Sequence, residues 1–171
     1  MSRKFFKKSF ATLAVAGAAL VSAHAAQANP AGSFAEAVDL CLRFGSDPWF
    51  AQTRFEDAGW QSYKDPDYGS MAFQSPDGAV IALPPTDETY PMWCTVRSGS
   101  VSFVNGLAAA ENALLASDMP IQGEIRDNCP VYYGTYGQEL RVFSDGNEDL
   151  CDDPETAVVH VVTMSNPIAG Q

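Results

Sequence analysis

The chain has little histidine, little positive charge and few long apolar runs. Its 171 residues hold two histidines, His24 and His160, and ten Lys and Arg against 21 Asp and Glu, for a formal charge of −11. Nucleic-acid binding draws much of its free energy from counterions released by Lys and Arg, so this balance argues against nucleic acid as a partner. The same deficit argues against adsorption to an anionic membrane surface. Beyond the N-terminal region, no stretch approaches the ~20 apolar residues of a membrane span. Familiar catalytic and cofactor signatures are missing too. The sequence has no G-x-S-x-G elbow for a serine nucleophile. It has no glycine-rich or Walker-type phosphate loop. It has no C-x-x-C and no Cys/His cluster of the kind that holds zinc or haem. No cofactor is expected.

What is present begins with a leader. Arg3, Lys4, Lys7 and Lys8 precede an apolar run of secretory length, Ala11 to Ala23. The small-residue signals Ala23-His24-Ala25 and Ala26-Gln27-Ala28 follow, and cleavage is expected after Ala28. No cysteine stands at that point to carry a lipid anchor. Residues 1–28 are therefore read as a secretory signal peptide and 29–171 as one α+β domain, large enough for a real core. The leader holds four cations and no acids, so its removal would take the formal charge from −11 to −15. The mature protein is expected to be periplasmic or secreted, without membrane insertion. Its acidity permits a basic partner, metal ions or plain solubility.

The four cysteines, Cys41, Cys94, Cys129 and Cys151, all follow the leader. An even count behind a secretory signal reads as two disulfides. Of the three possible pairings, Cys41–Cys94 with Cys129–Cys151 is expected, because each bridge then ties one sequential half. On chain-entropy grounds each contributes roughly 3–4 kcal/mol.

The chain is organised around Trp93-Cys94-Thr95-Val96, a β-type run, and the Ala-rich helix Phe103 to Ala116 that follows it. Upstream, Ser33 and Glu36 read as a capping box opening a helix. Phe34, Ala37, Val38, Cys41 and Leu42 form its apolar stripe, and Gly45 is expected as a left-handed stop. Asp47 and Pro48 open a second helix with Phe50, Ala51, Phe55 and Ala58 inward. Gly59 ends it, with Trp60 folding back on the last turn. Strands are expected at Ser70 to Gln74, Ala79 to Leu83 and Met92 to Arg97, after a short run at Trp60 to Tyr63. The Ala-rich helix, capped by Ser102 or Asn105, should turn Phe103, Leu107, Ala110 and Leu114 inward. Ile121 to Gly137 reads as irregular, since Pro130, Gly134 and Gly137 break it. Glu139 to Phe143 and the Val-rich Ala157 to Met164 read as strands, and 165–171 as a frayed tail. The predicted fold is α+β: an antiparallel sheet of about five strands. One face is packed by a helical hairpin and one longer helix, and two disulfides staple the whole.

Two segments are candidates for chemistry. His160 lies inside the Val-rich strand, in register with Val158 and Val162. It reads as a strand histidine on a partly exposed face, with a general-base role as the alternative. The acidic loop 145–155 sets Asp145, Asn147, Asp149 and Asp153 at the first, third, fifth and ninth positions of a calcium loop. Leu150 replaces the glycine and Thr156 the bidentate glutamate, so a solvated acidic loop clipped by Cys151 competes with calcium binding. Of the many aromatics, Trp49, Phe50, Trp60, Tyr63, Tyr68, Tyr90, Trp93, Tyr132, Tyr133 and Tyr136, about two thirds are expected in the core, with an exposed patch rimmed by acids as the reading for some of the others.

The order helix, helix, three strands across Ser33 to Arg97 resembles the unit found in β-lactamase inhibitor proteins and in small outer-membrane assembly lipoproteins. The helix bearing Cys41, the Ala58-Gly59-Trp60 stop and the Cys94-Thr95-Val96 strand are also similar to small exported bacterial α+β proteins of unassigned function. The first resemblance implies a concave sheet that presents aromatics and acids to a partner protein. It rests on element order and implies no catalytic residue. The expected function is that of an exported, non-catalytic accessory or inhibitor factor of the cell envelope that binds another protein. The alternatives are a hydrolase using a carboxylate pair or His160, and a calcium or small-ligand binder. Oligomeric state is left open.

Overall fold

Pro30, whose fixed φ and missing N–H suit a first helical turn, begins α1 (Pro30–Phe44) in the computed structural model. The structure describes residues 29–67, 69–87, 89–117, 121–134, 137–144, 151 and 155–164. The expected leader, the calcium-like positions and the tail lie outside them. Asn29 caps α1, its side chain accepting from the Gly32 N–H at 3.1 Å. The expected capping box of Ser33 and Glu36 does not form, because the helix starts at Pro30 and both residues fall inside it. Each bonds another element instead. Ser33 Oγ donates to Asp77 Oδ2 at 3.0 Å, and Glu36 Oε2 accepts from Trp60 Nε1 at 3.1 Å. The apolar stripe is buried as read: Phe34, Ala37, Val38, Cys41 and Leu42.

Gly45 is not left-handed; its φ is −65° and its N–H bonds Cys41 O at 2.7 Å. A Cβ there would crowd Cys41 O and lie 3.1 Å from the Cys94 Cβ, so glycine makes room for the disulfide. α2 (Pro48–Asp57) opens as expected, with Asp47 Oδ1 accepting from the Phe50 N–H at 3.0 Å. Its inner face is Pro48, Ala51 and Phe55, while Phe50 is 44% exposed, against expectation. Gly59, at φ +82°, ends it. Trp60 N–H bonds Phe55 O at 3.0 Å and Gly59 N–H bonds Glu56 O at 2.9 Å, the paired closure of a Schellman stop. The Trp60 ring then meets Phe55 edge-on at 5.2 Å.

Among the described residues, eight strands form one antiparallel sheet. They are β1 (Gln61–Lys64), β2 (Met71–Gln74), β3 (Ile81–Leu83), β4 (Met92–Ser98), β5 (Gln122–Arg126), β6 (Cys129–Tyr133), β7 (Gln138–Phe143) and β8 (Ala157–Thr163). Their spatial order is β1-β2-β3-β4-β8-β7-β6-β5. Each half of the chain is thus a helical start followed by a four-strand meander, and the last strands of the two halves, β4 and β8, pair along seven residues at the centre.

The expected count of about five strands is too low. The short run after Trp60 pairs as edge strand β1. The stretch expected to be irregular holds the β5–β6 hairpin. Its two turn residues, Asp127 and Asn128, have φ of 53° and 66°, as a two-residue type I′ turn requires. Pro130 does not break β6, because the ladder with β7 begins one residue later, at Val131.

α3 (Phe103–Ala116) is capped by Ser102 Oγ, which accepts from the Asn105 N–H at 3.4 Å. It is not the longest helix: it has 14 residues and α1 has 15. Its buried side is Gly106, Ala109, Ala110, Ala113 and Leu114, with Phe103 and Leu107 half-buried. The small residues allow close approach, and a Cβ on Gly106 would lie 2.6 Å from the Ala157 Cβ on β8. α1 and α3 pack on one sheet face, over Cys94 and Val96 of β4, Leu140 and Val142 of β7, and Val159 and Val161 of β8. Phe55 stacks on Phe73 at 5.4 Å in the same core. Side chains of this size contribute about 1.5–3 kcal/mol each when fully buried.

Both expected disulfides are present. Cys41–Cys94 links α1 to β4, with Cα atoms 5.5 Å apart, and Cys129–Cys151 links β6 to the segment before β8, with Cα atoms 5.4 Å apart. No helix of the described residues is long and apolar enough to cross a membrane.

Candidate functional site

Side chains alternate along a strand, so the residues between the core positions define the second face. Trp93, Thr95 and Arg97 of β4 stand opposite Val162, His160 and Val158 of β8. Those in turn stand opposite Glu139, Arg141 and Phe143 of β7. Among the described residues no helix covers this face. Two other parts of the chain border it instead. One is the loop after β3, with Pro84 and Pro85 buried. The other carries Cys151, which the second disulfide holds against Phe143 and Val158.

Between these borders lies a cleft of about 530 Å³, with Trp93, Arg97, Phe143, His160 and Pro85 among its lining residues. His160 is only 7% exposed, so the expectation of a partly exposed strand histidine is corrected. Its ring meets Trp93 edge-on at 5.5 Å and Phe143 at 5.2 Å, two contacts that close over the imidazole. Trp93 remains 40% exposed, and the Arg141 guanidinium sits 5.5 Å from its ring centroid. Arg97 pairs at 3.3 Å with Asp65, itself 1% exposed.

Outward from the cleft a charged strip crosses β7, β6 and β5. Arg141 and Arg126 both bond Glu139 Oε2, at 2.8 and 3.2 Å. Arg126 also bonds Glu124 at 2.8 Å, and Tyr133 Oη donates to Glu124 at 2.7 Å. The Tyr133 hydrogen bond, then that from Arg126, holds the Glu124 carboxyl below its ordinary value. The bond to Glu124 in turn raises the Tyr133 phenol and the Arg126 guanidinium. On the helix side, burial and then the hydrogen bond to Glu111, at 2.8 Å, push the Tyr132 phenol up to about 12.

The structure thus brings His160 and Trp93 together and leaves other candidates apart. Asp145, Asn147, Asp149 and Asp153 lie outside the described residues. Among the described residues no group of three or more His, Cys, Asp and Glu could hold a metal ion. Trp60 and Tyr132 are core residues, while Trp49, 69% exposed, and Phe50 form a separate edge-on pair on α2. Neither the cleft nor the Arg–Glu–Tyr strip was read from the sequence. The period-two spacing of Gln122, Glu124 and Arg126 and of Glu139 and Arg141 carries that signal, but the first set falls in a stretch that Pro130, Gly134 and Gly137 make look irregular.

A volume of this size accepts a few amino-acid side chains or a small ligand. Its aromatic and proline walls offer apolar contact, and Arg97, Thr95 and Asp87 offer polar contact. Comparison with protein-family models, with curated proteins and with solved structures finds no match for this chain.

Proposed function

We propose that this chain is an exported, non-catalytic binding protein that engages another protein through the open face of its sheet. The observation that carries the reading is Trp93. It is 40% exposed at a 530 Å³ cleft, yet its ring is held by contacts with both His160 and Arg141. A large ring held in one orientation gives contact area at little entropic cost, which is the character of an interface anchor. A basic partner fits the charge. Arg97, Arg126 and Arg141 are each paired to carboxylates of the same chain, and the formal charge is −11. Two disulfides suit an oxidising compartment outside the cytoplasm.

The test is capture from an envelope extract by immobilised wild type, Trp93→Ala and Trp49→Ala. Wild type and Trp49→Ala retain the same protein at low salt, high salt weakens the capture, and Trp93→Ala loses it. Equal retention by Trp93→Ala, or no capture by wild type at low salt, overturns the reading. A second reading, hydrolysis with His160 as general base, draws on the imidazole lining the same cleft. A hydrolytic activity abolished by His160→Ala at unchanged stability would favour it over binding.

A further inference from the structure

Among the described residues the sheet ends on β5, and the edge of this strand that faces away from β6 carries two features that a solitary edge avoids. Ile125 is 70% exposed and Ile121, just before the strand, is 43% exposed. Natural edges are usually blunted by proline, by lysine or by a covering segment. The direction of the β5 backbone follows from its hairpin. A two-residue turn at Asp127-Asn128 makes Arg126 and Cys129 the pair that exchanges hydrogen bonds, and Glu124 with Val131 and Gln122 with Tyr133 repeat it. Gly123 and Ile125 therefore direct their N–H and C=O groups away from β6, and the same alternation places Ile121 with them. Gly123 carries no side chain over this edge.

From this edge we infer that two copies of the chain associate by antiparallel pairing of β5 with β5 about a two-fold axis at Gly123. A two-fold pairing allows few registers, and the side chains separate them. Centring on Glu124 sets the two Glu124 carboxylates directly opposite each other, a like-charge pair that destabilises a ladder. Centring on Ile125 removes that clash, but the strands then overlap only near the turn. Centring on Gly123 overlaps residues 121 to 125, as many as the Glu124 register and without its like-charge pair. It sets Ile121 opposite Ile125 of the second copy twice, sets Gln122 opposite Glu124 twice, and places no like charges face to face. The two sheets then join into one of sixteen strands, and both exposed isoleucines become covered. The contact is isologous and closes on itself, as a symmetric dimer requires. It is also small, so association is weak and concentration-dependent. This interface is distinct from the open-face cleft, which lies across the sheet at β4 and β8.

Sedimentation equilibrium of the full disulfide-bonded protein over a wide concentration range tests the inference. A reversible monomer–dimer equilibrium is expected, and Ile125→Lys should raise the dissociation constant at least about tenfold. Ile125 is exposed, so this variant should keep the wild-type melting temperature. Cysteine pairing then reads the register. A mixture of Ile121→Cys and Ile125→Cys chains should cross-link, whereas Ile125→Cys alone should not. A protein that stays monomeric throughout, a dimer indifferent to Ile125→Lys, or efficient cross-linking of Ile125→Cys with itself each overturns the proposal.

Discussion

Ser33, on the second turn of α1, donates its hydroxyl to Asp77 in the β2–β3 turn at 3.0 Å. Asp77 also accepts from Ser75 Oγ at 2.5 Å and from the Ala79 N–H at 3.1 Å. One carboxylate thereby closes its own turn and fastens that turn to the first helix. Its partial burial would raise its pKa, but the bonds from Ser75, Ala79, Ser33 and the Asn29 backbone outweigh burial and hold it below the usual aspartate value.

Asp77→Asn should therefore destabilise the protein by about 1–2 kcal/mol at neutral pH, the cost of weakening hydrogen bonds to a charged acceptor. A depressed folded pKa contributes stability that is fully present above the unfolded value of about 3.9 and lost as pH falls through the lower folded value. Denaturant melts of wild type and variant should differ at pH 7 and converge as pH falls through the lowered folded pKa of Asp77. A difference that persists undiminished in acid would contradict the charged role of Asp77.

Gly45 and Gly59 end neighbouring helices for different reasons, and substitution should separate them. Gly59 has φ +82° and open space around the Cβ position, so Gly59→Ala should cost about 1 kcal/mol and Gly59→Asn less, since asparagine tolerates the left-handed region. Gly45 has an ordinary helical φ but no room beside Cys94. Gly45→Ala should cost about 1–3 kcal/mol through overpacking, and Gly45→Asn should be no better. Thermal melts of the four variants check both statements.

That contrast shows where the sequence was legible. Local chemistry was readable at Asp47-Pro48, at Gly59-Trp60 and along the α1 stripe, because neighbours in the chain settle those conformations. Disulfide pairing was readable because each bridge stays within its own half. The roles of Gly45, Ser33 and Glu36 are not legible locally, because their partners, Cys94, Asp77 and Trp60, are distant in sequence. β5 and β6 are hidden in the sequence because Asp127-Asn128 lacks the glycine that usually marks a tight hairpin, and Pro130 resembles a breaker although it sits outside the β6–β7 ladder. The cleft depends on strands from both halves meeting at β4 and β8, which no local pattern encodes.

Tyr132 gives the protein an alkaline limit. Burial and the Glu111 carboxylate favour its neutral phenol and raise its pKa to about 12. A raised folded pKa contributes stability that is present below the unfolded value of about 10 and lost as pH climbs through the folded one. Wild-type stability should fall between about pH 10 and pH 12 more steeply than that of Tyr132→Phe. At pH 7 the variant should lose only about 1 kcal/mol, for one hydrogen bond, because half-buried Glu111 regains water. Urea melts at pH 8, 10 and 11.5 compare the two slopes.

His160 separates a packing role from a catalytic one. Its ring is buried beneath Trp93 and Phe143 on the central strand β8. Truncation removes two edge-on aromatic contacts and leaves a cavity that a strand paired on both sides cannot collapse to fill. His160→Ala should thus cost about 2–3 kcal/mol and lower the melting temperature, and His160→Phe should recover part of that loss through the same two ring contacts. Trp93 should lose its fixed orientation in the alanine variant, so its fluorescence should shift toward the wavelength of a solvated indole before unfolding begins. An alanine variant with wild-type stability and an unshifted spectrum would remove the structural role and leave the imidazole available for chemistry.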